Sequence, residues 1–220
     1  MREKDMRAFV RVAAVAAAAG LFLAPAADAA SAARIGPAAA SAVQVPIKSG
    51  TTRITTIRGI PNLLLANQVV AFATDPATET LTDGTAVFQK PPHPRAFRFA
   101  FPVSGGRVRP TSFSGHINHR GGILLADISN GRKVLIGRFT ISLSRKVVTG
   151  IINGNPATRF TLFRLDLSHA RIHLSGRTIK VSNVGLKITS AAIITLDTAL
   201  NTTGFSTVTK FGTLSSTLHF

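Results

Sequence analysis

The run RAFRFAFPV at residues 95–103 constrains the fold more than any other feature of the chain. Phe97, Phe99, Phe101 and Val103 share one parity and Arg98 takes the other. A period of two predicts a strand with one buried face. The segments that follow have the same character: ILLADIS, KVLIGRFTISL, KVVTGII, TRFTLFRLDL, ARIHL, RTIKVSN and GLKIT. Turn signals separate them at Gly121-Gly122, Asn130-Gly131, Ser144-Arg145, Asn153-Gly154-Asn155-Pro156 and Ser175-Gly176. Short strands at this spacing predict a mainly β chain, folded as an antiparallel β-sandwich or a partly open barrel. Inside KVLIGRFTISL, Val134 and Ile136 share a face, whereas Phe139, Ile141 and Leu143 follow the opposite parity. A slip of one residue at Gly137 reconciles them, so a β-bulge is expected there.

Two stretches break the alternation. SAAIITLDTAL at 190–200, with Ser190 as N-cap and Gly204 beyond its end, reads as a short helix. IPNLLLAN at 60–67 reads as a second. One or two short helices therefore accompany the sheet.

Ahead of the strands, Arg2, Lys4, Arg7 and Arg11 flank an apolar run, VAAVAAAAGLFLA, which small residues follow, with Ala27 and Ala29 in the positions of a cleavage site. This pattern predicts a secretory signal peptide over residues 1–29. Pro25 and Asp28 end the run short of the roughly 20 residues that a spanning helix needs, so no transmembrane helix is expected after cleavage. Residues 30–49, rich in Ala, Ser and Pro, read as a flexible linker that enters the fold near Val43. Residues 50–220 read as one β-rich domain. The expected location is extracellular, with cell-wall association open.

Charge and composition then narrow the function. The chain holds 26 Lys and Arg against 9 Asp and Glu, a formal charge of +17, and no Cys, Trp or Tyr. Absent Cys excludes a disulfide framework, a thiolate nucleophile and cysteine-ligated metals. Absent Trp and Tyr remove the usual stacking platform for sugars. A basic exported chain favours anionic partners such as envelope polymers or an acidic small molecule, and export argues against nucleic acid as the physiological one. Individually, each cation also fits a solvated strand face.

Catalytic groups are scarce. Asp75, Glu79 and Asp83 sit together in a turn-rich loop, and Asp166 alternates with Arg164, which suits a cross-strand ion pair. Ser114-Gly115-His116 fails the nucleophile-elbow pattern, because Ser occupies position 112 and His position 116. His116 and His119, three apart, point to opposite faces of a regular strand and cannot share one metal ion. His93 lies between two prolines and His219 beside the last residue. Neither an enzyme nor a metal site is expected.

The run FPVSGGRVRPTSFSGHINHRGGILLA at 101–126, then FTLFRLDLSHARI, VSNVGLKIT, a helix and FGTLSSTL, resembles the Htaa-domain family of secreted and surface actinobacterial proteins. The resemblance spans about residues 50–220 and rests on the order of these elements. It implies a mainly β, non-enzymatic binding module at the cell envelope. The studied branch of that family binds haem through a tyrosine supported by a histidine. This chain has no tyrosine, so the resemblance implies His119 as the axial ligand and His116 as the alternative. It further implies Arg107, Arg109 and Arg120 as contacts for propionates or another anion, with Phe97, Phe99, Phe101 or Phe113 flanking the ring. The other open reading is a cationic structural protein that associates with anionic wall polymers and has no small-molecule pocket.

Overall fold

A computed structural model describes residues 44–82 and 96–220; the expected signal peptide, most of the linker, Asp83 and His93 lie outside them. The described residues belong to one compact unit. In order, its elements are β1 (Val45–Ile47), β2 (Ser49–Thr56), α1 (Gly59–Ala66), β3 (Val69–Thr74), β4 (Thr78–Thr82), β5 (Ala96–Arg109), β6 (Ser114–His119) and β7 (Gly122–Asp127). There follow β8 (Lys133–Ser142), β9 (Val147–Ile152), β10 (Asn155–Asp166), β11 (Arg171–Ser175), β12 (Thr178–Ile188), α2 (Ser190–Leu200), a 3₁₀ turn (Gly204–Thr207) and β13 (Lys210–His219).

The strands close into an eight-stranded antiparallel barrel, running β5, β2, β13, β12, β10, β9, β8, β6 and back to β5. Of the two architectures expected, the chain adopts the barrel, and it is fully closed. Closure pairs every edge of the ring, which removes the open strand edges that make β proteins associate. Extra strands decorate the wall: β7 and β3 extend from β8, β4 and β1 lie on β5, and β11 lies on β12.

Alternation decides what fills the interior. Phe97, Phe99 and Phe101 on β5 are buried in a stack, with ring centroids 5.7 and 6.3 Å apart, and Phe139 meets Phe101 edge-on at 4.9 Å. The expected slip in β8 is present. Register with β9 shifts between Gly137 and Thr140, and Arg138 takes φ 48°, so Val134, Ile136, Phe139 and Ile141 all face inward. On β5, Gly105 and Gly106 adopt φ 146° and 145° where the pairing with β6 slips. This region of backbone space is open only to glycine.

The two helices close one end of the barrel. Ile60 and Leu64 of α1, Ala192, Leu196 and Leu200 of α2, and Phe205 of the 3₁₀ turn are all buried against the core. The cap of α2 is Thr189, one residue before the expected Ser190. Its hydroxyl accepts from the Ala192 N–H at 3.1 Å and donates to the Thr161 carbonyl at 2.6 Å, tying the helix start to β10. Thr189→Ala is expected to lower stability by about 1 kcal/mol in chemical denaturation, with Ser190→Ala near neutral. The opposite end of the barrel carries, among its connections, the β5–β6 hairpin, the β8–β9 turn and the β11–β12 hairpin.

Candidate functional site

Strand β6 places its two histidines on opposite faces, as their spacing predicts. His116 is exposed, whereas His119 points into the barrel and is 5% exposed. Inside, Nδ1 of His119 lies 3.3 Å from the Phe139 carbonyl and Nε2 lies 2.7 Å from Oγ1 of Thr52. Oγ1 of Thr52 lies 2.8 Å from Oγ of Ser216. A carbonyl can only accept, so Nδ1 carries the proton and donates to Phe139. Nε2 then accepts from the Thr52 hydroxyl, and Thr52 accepts from Ser216. The result is a directed chain from β13 through β2 and β6 to β8, with every member buried. Burial pushes the His119 imidazole down to about 4, against the opposing pull of the Phe139 carbonyl.

The two hydroxyl partners escaped the sequence reading. Their signal is a parity conflict. Thr52 alternates with Ile54 on the inward side of β2, and Ser216 sits between Leu214 and Leu218 on the inward side of β13. A polar residue in an apolar row needs an interior partner.

The remaining expected site residues fall elsewhere. Arg107 and Arg109 project outward on β5, where Arg107 is in register with His116 and Arg109 with Ser114. Arg107, Arg109 and His116 form an exposed group on the β5–β6 hairpin. Arg120 is exposed at the far end of β6, with its backbone N–H on the Pro102 carbonyl. Phe97, Phe99 and Phe101 belong to the core, and Phe113 is partly buried in the hairpin turn. The structure therefore brings together His116, Arg107 and Arg109, and separates them from His119.

A porphyrin does not fit around His119. Both ring nitrogens are engaged, and Phe101, Phe139, Ile141 and Val148 wall a space of about 10 Å³. Such a void holds roughly one water at most. Opening it would break the hydroxyl chain and displace the core phenylalanines.

The acidic groups do structural work. Asp166 accepts from Ser168 and pairs with Lys187 on β12 at 3.0 Å, which together hold its carboxyl well below the usual range. The expected cross-strand ion pair is thus present, with Lys187 of the neighbouring strand as the partner. Asp127 accepts from Ser129 and Asn130 in the β7–β8 turn, and Asp197 accepts from the Phe205 N–H. The Glu79 carboxylate accepts from the Ala73 N–H. Among the described residues, no group of three or more His, Cys, Asp or Glu could hold a metal ion, and no helix is long and apolar enough to cross a membrane.

No protein-family model matches the sequence, and no curated protein matches it. Among solved structures, the chain is similar to the C-terminal domain of HtaA from Corynebacterium glutamicum. That match has a TM-score of 0.53 and 13% identity, and covers 79% of this chain and 98% of the other. The domain-swapped dimer of a histidine-to-alanine variant of the same domain aligns with a TM-score of 0.43 and 18% identity, over 74% of this chain and 91% of that one. The shared property is the fold, over nearly the full length of the HtaA domain.

Proposed function

We propose that this chain, an HtaA-like barrel by its fold, is a non-enzymatic binding module of the cell envelope that engages an anionic partner through its outer surface. The observation that carries the reading is the division of the polar groups. The interior histidine is locked into a closed hydrogen-bond chain, while Arg107, Arg109 and His116 stand exposed together on one hairpin. The leader-like N-terminus, the +17 formal charge and the structural use of the acids support the same reading. Haem, the ligand implied by the family resemblance, has no seat beside His119. A surface that binds by charge loses affinity as salt rises, because exposed charges are screened beyond about 10 Å at 0.1 M ionic strength.

The test is a pair of titrations on residues 41–220. Hemin, followed at the Soret band, is expected to give no saturable one-to-one complex, and His119→Ala is expected to leave the spectrum unchanged. A soluble polyphosphate is expected to bind with affinity that falls steeply as salt is added, and Arg107→Gln with Arg109→Gln is expected to weaken it. Salt-resistant stoichiometric hemin binding that His119→Ala or His116→Ala abolishes would overturn the reading in favour of haem.

A further inference from the structure

We propose that the helix-free end of the barrel docks on an anionic lipid surface. This deepens the reading above by naming the partner, and it rests on that reading. At this end the β5–β6 hairpin, the β8–β9 turn and the β11–β12 hairpin each carry cations: Arg109 on the first, Arg145 and Lys146 on the second, and Arg171, Arg177 and Lys180 on the third, all exposed. The described acid nearest this end, Asp166, is already paired with Lys187. Asp127 and Asp197 lie at the helix-capped end, and Asp75 and Glu79 lie on the β3–β4 hairpin against the wall. Arg177 donates its Nε–H to the Phe220 oxygen at 2.9 Å, and among the described residues the charged side chains at these tips are all cations.

Charge alone would suit any polyanion, and the apolar residues select a bilayer. Among the described residues, strand β11 pairs only with β12, away from the ring of the barrel, and all five of its residues are exposed. Ile172 and Leu174 are 45% and 54% exposed. Ile172 also borders an apolar recess with Val108, Pro110, Phe113 and Leu167 at the same rim. A dissolved polymer offers nothing to this pair, whereas the boundary between headgroups and acyl chains takes up apolar side chains ringed by cations. The free backbone edge of β11 sets the depth. Its N–H and C=O groups need water or headgroup partners, so the hairpin lies in the interface and does not enter the hydrocarbon.

The experiment measures partition of residues 41–220 onto phosphatidylcholine vesicles with and without phosphatidylglycerol, beside binding to soluble polyphosphate. Retention is expected only with phosphatidylglycerol. Arg145→Gln with Lys146→Gln should reduce partition about thirtyfold, at roughly fivefold per basic residue near the surface. Ile172→Ser with Leu174→Ser should reduce it about tenfold and leave polyphosphate binding unchanged. Arg132→Gln with Lys133→Gln, at the helix-capped end, should change nothing. Because the chain has no Trp, Leu174→Trp supplies a single fluorophore, whose emission should move to the blue on anionic vesicles. Polyphosphate binding without vesicle binding, or no blue shift at Leu174→Trp in a vesicle-bound protein, overturns lipid docking and leaves the envelope-polymer reading standing. Failure to bind either anion overturns both.

Discussion

Acidifying the folded unit from pH 6.5 to about 4 will remove about 3 kcal/mol of stability through His119 alone. The sign follows from the two states. Free imidazole in the unfolded chain takes a proton near 6.5, while burial holds the folded group down to about 4. Between those values the unfolded state binds the extra proton, so stability falls as pH falls. Below about 4 both states are protonated and this contribution ends. The hydroxyl chain can reverse, with Nε2–H donating to Thr52 and Thr52 donating to Ser216, so the three contacts persist on charging, and the penalty is desolvation of the ring together with the turning of the Ser216 O–H away from Thr52. Denaturant melts across this range read the effect. His119→Gln should flatten the acid limb while lowering neutral stability by about 2 kcal/mol through imperfect pairing of Thr52 and Phe139. An acid limb of equal depth in His119→Gln would show that other groups cause it.

Gly106→Ala should destabilise the barrel by about 4 kcal/mol, combining strained backbone with overpacking. At φ 145°, a Cβ at this position would stand 2.3 Å from the His116 carbonyl oxygen and 2.9 Å from the Ile117 Cα, both parts of the neighbouring strand. Neither can move without opening the β5–β6 pairing. Gly131 is the matched control. It has φ 74° in the β7–β8 turn with nothing near a built Cβ, so Gly131→Ala should lower stability by only about 1 kcal/mol for the left-handed backbone. The difference between the two variants in denaturant midpoint isolates the steric part. A Gly106→Ala variant as stable as Gly131→Ala would mean that β5 and β6 separate more easily here than their packing indicates.

What could be read from the sequence was local. Parity along Val134, Ile136, Phe139 and Ile141 is enough to locate the slip near Gly137, because a strand must keep its apolar side chains on one face. The limits of α2 followed from the loss of alternation, although the cap moved one residue, to Thr189, because a carbonyl of β10 is present to orient that hydroxyl. Long-range facts were not legible. Alternation in RIHLS predicts Ile172 and Leu174 as core, yet both are exposed, since burial of a strand face depends on a second wall that β11 lacks. The site behaved the same way. Opposite faces for His116 and His119 follow from their spacing, but the partners of His119 come from β2 and β13, whose hydroxyls Thr52 and Ser216 are 164 residues apart. The resemblance implies Arg107, Arg109 and His116 as contacts for a ligand, whereas their grouping on one hairpin depends on the register across the Gly105–Gly106 slip.

Strand β13 fills the gap between β2 and β12, and its ladder with β2 runs from Gly212–Thr56 to His219–Ser49. The ring therefore shuts through a pairing between segments made early and late in synthesis. Closing so long a loop demands its entropy before any contact returns it, and β topologies of this kind fold in milliseconds to seconds. Until Lys210–His219 has been synthesised, β2 and β12 each present an unsatisfied edge, and the phenylalanines of β5 have no completed enclosure. Between the completion of β12 and that of β13 the protein is an open sheet, and it depends on whatever accompanies it during that interval to keep those two edges from finding another partner.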